Sequence, residues 1–298
     1  MKAPLARAVA VVQFPHPGRE WSPDRGTSDR RWTDWDDGHG RKFLRHPGRY
    51  VDDAGNEVGA QLTFWAEWEG PSTCSPTHAT GAYAPVWFQV PNRGDFDAVP
   101  RPQNTDPFVF GEFLYSNCMQ DHEWPKGSQT YAPTAMSSLA PGSVILFGST
   151  QTHDGSRVRD FVMDTCFVVG SVVDIDETTS MDQIAGRVPA AFGDATLKPV
   201  FLGVRRRRLS LYFGASFGSP SNSTFSFFPC LPATTGPIAF NRPTIRPVGA
   251  LEDFVNPLSS RRFRRKPCDL EAARAAWSEV RRQVEDAGFR LGVRAEPL

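Results

Sequence analysis

The sequence is poor in lysine, in paired cysteines and in long apolar runs, and each shortage narrows what the protein can be. Five of its 33 basic residues are lysines, Lys2, Lys42, Lys126, Lys198 and Lys266. No Glu-x-Lys tripeptide occurs, which argues against a metal-dependent nuclease built on two acids and a neighbouring lysine. The 33 basic residues are balanced by 33 acidic ones, so there is no excess positive charge with which to coat nucleic acid indiscriminately. A local basic surface is still compatible with that balance. The cysteines, Cys74, Cys118, Cys166, Cys230 and Cys268, are odd in number and none forms a CxxC pair. That spacing disfavours a zinc site and fits the reduced thiols of a cytoplasmic protein. No run approaches the ~18 apolar residues of a membrane-spanning helix. The apolar run 8–12 is too short for a secretory signal, lacks a small-residue cleavage site after it, and reads as a first strand. The phosphate-binding GxxxxGK[ST], a strand-linked GxGxxG and the zinc-binding HExxH are all missing, so no cofactor and no metal is expected. His16, His39, His46, His78, His122 and His153 form no ligand-like pair.

What the chain does have is 26 prolines, 25 glycines and 22 phenylalanines, a composition of short apolar runs separated by breakers. Strands are expected at 8–14, 61–68, 86–90, 143–147, 161–169, 209–213 and 224–228, where β-branched and aromatic residues fill runs too short for helices. The runs 143–147 and 161–169 should form a central hairpin, turning at Asp154-Gly155. One long helix is legible at 270–287, with Asp269 as N-cap and Gly288 as its stop. Leu270, Trp277, Val280 and Val284 make a single apolar stripe along it. The segments 20–40, 118–138 and 214–223 read as loops. These features predict a β-rich α+β protein with long ordered loops, a core domain over 1–247 and a C-terminal helical appendage over 248–298 packed on it.

Several clusters carry chemistry. Gly38–Tyr50 gathers His39, Arg41, Lys42, Arg45, His46 and Arg49 around turn glycines, and reads either as a solvated basic loop or as a phosphate grip formed by Arg41, Lys42 and Arg49. In Phe64-Trp65-Ala66-Glu67-Trp68-Glu69, strand alternation puts Phe64, Ala66 and Trp68 on one face and Trp65, Glu67 and Glu69 on the other. An indole beside a carboxylate suits a base, stacked by the ring and read at its edge. Tyr115, Ser116 and Asn117 end an apolar run with hydroxyl and amide groups, and Asn104 and Asp106 precede them as turn-makers. Asp164, between Met163 and Thr165 in an apolar strand, is expected to be a buried acceptor that needs partners. Ser226 and Arg242 are the polar members of a Phe-rich stretch. The GxSxG at 214–218 lacks the helix that a nucleophile elbow needs and reads as a turn. Arg205–Arg208 and the basic residues of 261–266 are two further basic clusters.

Tyr115-Ser116-Asn117, the stretch Leu139-Ala140-Pro141-Gly142-Ser143-Val144-Ile145-Leu146-Phe147-Gly148-Ser149 and the returning strand 161–169 resemble the PUA-like superfamily, especially its EVE and ASCH branches. The resemblance covers about a quarter of the chain. It implies a small mixed β-barrel that binds nucleic acid, often a modified or flipped base, with Tyr115, Ser116 and Asn117 on the pocket and Phe147 and Asp164 near its wall. The leading expectation is therefore a protein that recognises a nucleotide or a modified base in nucleic acid. Trp65 and Tyr115 would stack the base; Asn117, Asp164 or Glu67 would read its edge; Arg41, Lys42, Arg49 and Arg242 would take phosphate. An enzyme using the same pocket, with Asp164, Glu67 or His39 as acid or base, is the alternative. A structural interaction module is the third reading.

Overall fold

The computed structural model describes residues 5–13, 29–30, 41–79, 84–92, 106–123, 131–152, 159–176, 179, 182–198, 208–233, 239–256 and 263–298. Its strands are β1 (Ala8–Gln13), β2 (Asp29–Arg30), β3 (Lys42–Val51), β4 (Glu57–Ala66), β5 (Ser72–Pro76), β6 (Trp87–Pro91), β7 (Leu114–Tyr115), β8 (Asp121–Glu123), β9 (Tyr131–Pro133), β10 (Val144–Thr152), β11 (Arg159–Asp176), β12 (Arg208–Gly214), β13 (Phe228–Pro232), β14 (Thr244–Ile245), β15 (Phe263–Pro267) and β16 (Arg290–Ala295). One sheet runs β15-β1-β10-β11-β12-β7, with β14 added on β11; the other runs β16-β13-β4-β3-β6-β5-β2. Each contains one parallel pairing, β1 with β10 and β3 with β6, so both are mixed. With few helices beside them, the class is the expected β-rich α+β.

Both faces of the first sheet are apolar, which explains why its strands read as continuous hydrophobic runs. Ala8, Ala10, Val12, Ile145 and Phe147 join a large core that also holds Phe64 and Trp68 of the second-sheet hairpin segment. Val9, Val11, Val144 and Leu146 point into a second core closed by the helix Leu270–Asp286. That helix buries Ala273, Ala276, Trp277, Val280 and Val284. Its N-cap is Asp269, whose carboxylate accepts from the Ala272 amide at 2.7 Å, and Gly288 follows its end at φ +86°, the left-handed conformation that stops a helix. Trp277 donates its indole N–H to the Phe225 carbonyl at 2.8 Å, so the largest buried side chain of the helix has its polar atom satisfied. The C-terminal segment does more than lay a helix on the core. It supplies β15 to the first sheet and β16, paired with both β13 and β3, to the second.

The central hairpin forms as expected, β10 against β11, although its tip at Asp154-Gly155 lies outside the described residues. Two local expectations change. The basic stretch 42–51, open to a reading as a loop, is a ten-residue strand because it pairs residue for residue with β4. Its hairpin turns at Gly55, with φ +82°, while the Asp52 carboxylate accepts from the amides of Ala54 and Asn56. The strand expected at 224–228 starts only at Phe228, since Asn222 and Ser223 adopt positive φ in a turn that closes between Ser221 and Thr224. Ser216 sits in a turn, its carbonyl and hydroxyl both accepting from the Ser219 amide, and no helix follows.

Candidate functional site

The site is built outward from the β3–β4 hairpin. Phe43 lies opposite Trp65 and Lys42 opposite Ala66. The alternation expected from sequence holds: Phe64, Ala66 and Trp68 enter the large core, whereas Trp65 packs in a small separate cluster with Phe43 and Phe88. At the open end of the hairpin, Arg41 donates from Nη1 to Glu67 Oε2 at 2.5 Å. Lys42 Nζ lies 3.0 Å from Glu69 Oε1 and 3.4 Å from Glu67 Oε1.

The first sheet contributes Asp164. Phe147 pairs with Thr165 and Gly148 with Met163, so Asp164 is the extra residue of a β-bulge and has no partner on β10. A bulge of this kind re-aims a side chain that a regular ladder would hold in register. Gly148 is required there, because a Cβ would lie 2.1 Å from the Val162 carbonyl oxygen. Beside the bulge, the Met163 amide donates to the Pro243 carbonyl at 3.0 Å, and Thr244 and Ile245 pair with Val162 and Phe161. Those bonds bring Arg242 alongside β11. Asp164 then receives two guanidinium donors, Arg41 Nε on Oδ2 at 2.9 Å and Arg242 Nη1 on Oδ1 at 3.1 Å. Arg242 also lies over the Trp65 ring, 5.3 Å from its centroid, and the indole N–H of Trp65 is held by the Phe240 carbonyl at 2.8 Å.

The result is a chain of alternating charge, Glu69–Lys42–Glu67–Arg41–Asp164–Arg242, ending on an indole face. None of the six is more than 5% exposed. Removing so many charges from water is costly, and only close pairing offsets it. Burial pushes the Glu67 carboxyl up to about 7, against the attraction of Arg41 and Lys42 and with the added repulsion of Glu69. Burial also draws the Arg242 guanidinium below its ordinary value, opposed chiefly by Asp164. A carboxyl that titrates near neutrality can give and take a proton, and two guanidiniums converging on one carboxylate are the geometry that holds an oxyanion. Among the described residues no group of three or more His, Cys, Asp or Glu side chains is placed to hold a metal ion.

Arg41, Lys42, Trp65, Glu67, Asp164 and Arg242 are thus brought together from four separate stretches of chain. The remaining candidates lie elsewhere. Tyr115 is fully buried, stacks on Tyr212 with ring centroids 5.4 Å apart, meets the Phe147 ring edge-on at 5.2 Å, and donates its hydroxyl to the Cys118 carbonyl at 2.5 Å. The amides of Ser116, Asn117 and Cys118 all donate to the Asp106 carboxylate at 2.6–3.0 Å. Asp106 is therefore the organiser of that turn. Arg49, at the closed end of the β3–β4 hairpin, is 41% exposed and pairs with Glu57 at 2.5 Å. Ser226 supports the fold, its hydroxyl donating to the Val168 carbonyl and accepting from the Val168 amide. His39 lies outside the described residues, as do Arg205–Arg207, Arg261 and Arg262. Lys266 on the edge strand β15 pairs with Asp253 at 2.9 Å. Sequence reasoning did not assign Glu69 to the site, although its alternation with Trp65 and Glu67 carried the signal.

Comparison with known proteins found no matching family model, no similar curated protein and no similar solved structure.

Proposed function

We propose that the protein recognises a nucleotide or a modified base in nucleic acid, and that the ionic centre around Arg41, Glu67, Asp164 and Arg242 is the part that meets the ligand. The observation that carries this reading is the convergence of six charged side chains, with Trp65 beside them, from stretches of sequence 200 residues apart at their extremes. Such a cluster combines the parts that nucleotide recognition uses: guanidiniums for phosphate, carboxylates for a base edge and an aromatic face for stacking. The PUA-like resemblance supports the same ligand class, with a nucleic-acid partner and a small barrel around the pocket. The centre is closed, so a ligand reaches it only when the chain around it parts. Five free cysteines support a cytoplasmic setting. Among the described residues no helix is long and apolar enough to cross a membrane.

One observation favours the second reading, an enzyme acting on that ligand. Glu67, titrating near neutrality beside two cations, has the character of a general acid or base. Fluorescence anisotropy with labelled single- and double-stranded DNA and RNA, plain and base-modified, tests the first reading at two salt concentrations. Salt-sensitive binding that prefers one modified base, and loses that preference in Trp65→Ala, is the expected result. The absence of binding to every oligonucleotide at low salt would overturn it. Turnover lost in Glu67→Gln with binding retained would establish the enzyme.

A further inference from the structure

Resting on that reading of the ligand, we propose that Ser149 and Gln151 are specificity-determining residues of the site, two buried polar side chains on β10 that read the donor and acceptor groups along the edge of a nucleobase. Strand alternation puts them beside the ionic centre. Ile145 and Phe147 enter the large core and Leu146 the helix-closed one, so Ser149 and Gln151 continue the face of Phe147. On β11, Phe161, Met163 and Cys166 all enter the helix-closed core, which leaves Val162, Asp164 and Thr165 on the face that Ser149 and Gln151 share. Ser149 lies opposite Val162, and Val162 pairs on its other edge with Thr244. Asp164 follows Val162 by two residues, and Arg242 precedes Thr244 by two. Ser149 is therefore a diagonal neighbour of Asp164 on one face of the sheet.

What separates these two from other buried polar side chains is unspent hydrogen-bonding capacity. Ser149 is fully buried and Gln151 is 8% exposed. Among the described residues the Ser149 hydroxyl has no hydrogen-bond partner, and nothing bonds the Gln151 amide. Ser226 and Gln120, which support the fold, are used at both ends. The Ser226 hydroxyl donates to the Val168 carbonyl and accepts from the Val168 amide. Gln120 donates to the Ser210 carbonyl at 2.7 Å and accepts from the Ser210 amide at 3.0 Å. A buried polar group without a bond destabilises the fold that carries it, so a pair of them beside the centre points to something that bonds them. A carboxamide sets one donor beside one acceptor, the complement of a base edge such as adenine's amino group and ring nitrogen, and a hydroxyl fills either role next to it. Neither group is engaged by the ion pairs of the centre, so a base bonds them without taking a guanidinium from its carboxylate.

The test is fluorescence anisotropy on the full chain with labelled single-stranded oligonucleotides that differ in one base, plain or modified, with thermal unfolding of every variant alongside. The wild-type chain should prefer one base. Gln151→Leu should weaken binding of that oligonucleotide about tenfold or more while leaving the others unchanged, and Ser149→Ala should act in the same direction to a smaller extent. The Tm of both variants should equal or exceed that of the wild-type chain, because each removes an unbonded buried polar group. Thr150 also carries an unbonded hydroxyl, but it lies opposite Phe161 on the helix side of the sheet, so Thr150→Val should leave the base preference unchanged. A wild-type chain without base preference, or a preference that survives Gln151→Leu, would overturn the proposal and leave the nucleic-acid reading standing. So would a Tm lowered in both variants, the mark of groups that hold the fold, or an equal loss of preference in Thr150→Val. No binding to any oligonucleotide at low salt would remove the nucleic-acid reading and this proposal with it.

Discussion

The ionic centre and the turn at Tyr115–Cys118 are both buried and both rich in polar atoms, yet they use those atoms in opposite ways. In the turn, the bonds run between side chain and backbone. Asp106 accepts three successive amides, and Tyr115 gives its hydroxyl to a carbonyl three residues on. Such bonds satisfy the main chain of a buried loop. In the centre, side chains bind side chains, across two sheets and from distant segments. Pairs of that kind do little for the main chain and are expensive to bury, which makes them a poor way to hold a fold and a good way to hold chemistry in place. The two regions look alike in a list of buried polar residues. The destination of their hydrogen bonds separates them.

Three substitutions sharpen the contrast. The largest effect is expected from Asp164→Ala, which leaves the guanidiniums of Arg41 and Arg242 facing each other without their shared carboxylate. Urea unfolding should show a loss of about 3–5 kcal/mol, the usual consequence of breaking a buried ion pair on one side. A loss within the range of a surface substitution would mean that water reaches the centre freely.

Next comes the pH dependence of stability. The folded-state carboxyl of Glu67 titrates near 7, above its ordinary 4.5, so between those values the folded chain holds more proton than the unfolded one. This group's contribution is full below about pH 4.5 and declines as pH rises towards about 7. Glu67→Gln removes that titration, so the variant should gain on the wild-type chain by about 3 kcal/mol across the window, on the usual conversion of a pKa shift into free energy. Parallel stability curves for the two proteins would show that folding leaves the titration of Glu67 unchanged.

The smallest effect belongs to the turn. Tyr115→Phe deletes one neutral hydrogen bond while keeping the stacked ring, and should cost about 1 kcal/mol with no change in ligand affinity. A selective loss of affinity in Tyr115→Phe would return the pocket to Tyr115, Ser116 and Asn117.

Much of this protein is written locally. The helix at Leu270–Asp286 is legible because a capping aspartate, a 3.6-residue apolar stripe and a terminating glycine are neighbours in sequence. The central hairpin and the alternation of Phe64–Glu69 are legible for the same reason, since strand periodicity puts Trp65 and Glu67 on a face of their own. Even the need of Asp164 for a partner could be read from its apolar neighbours. Its partners could not. The stretch holding Lys42 became a strand because β4 lay ready to pair with it, and Pro243 brought Arg242 to β11 through a backbone bond spanning some 80 residues. Likewise the composition of Tyr115–Asn117 does not show that Asp106 collects the backbone amides of Ser116 and Asn117, or that the Tyr115 ring stacks on Tyr212. Periodicity, capping and composition act over a few residues and survive in the bare chain. Which charge meets which depends on strand pairing and a single bulge, and those are settled by long-range contacts that no local pattern encodes.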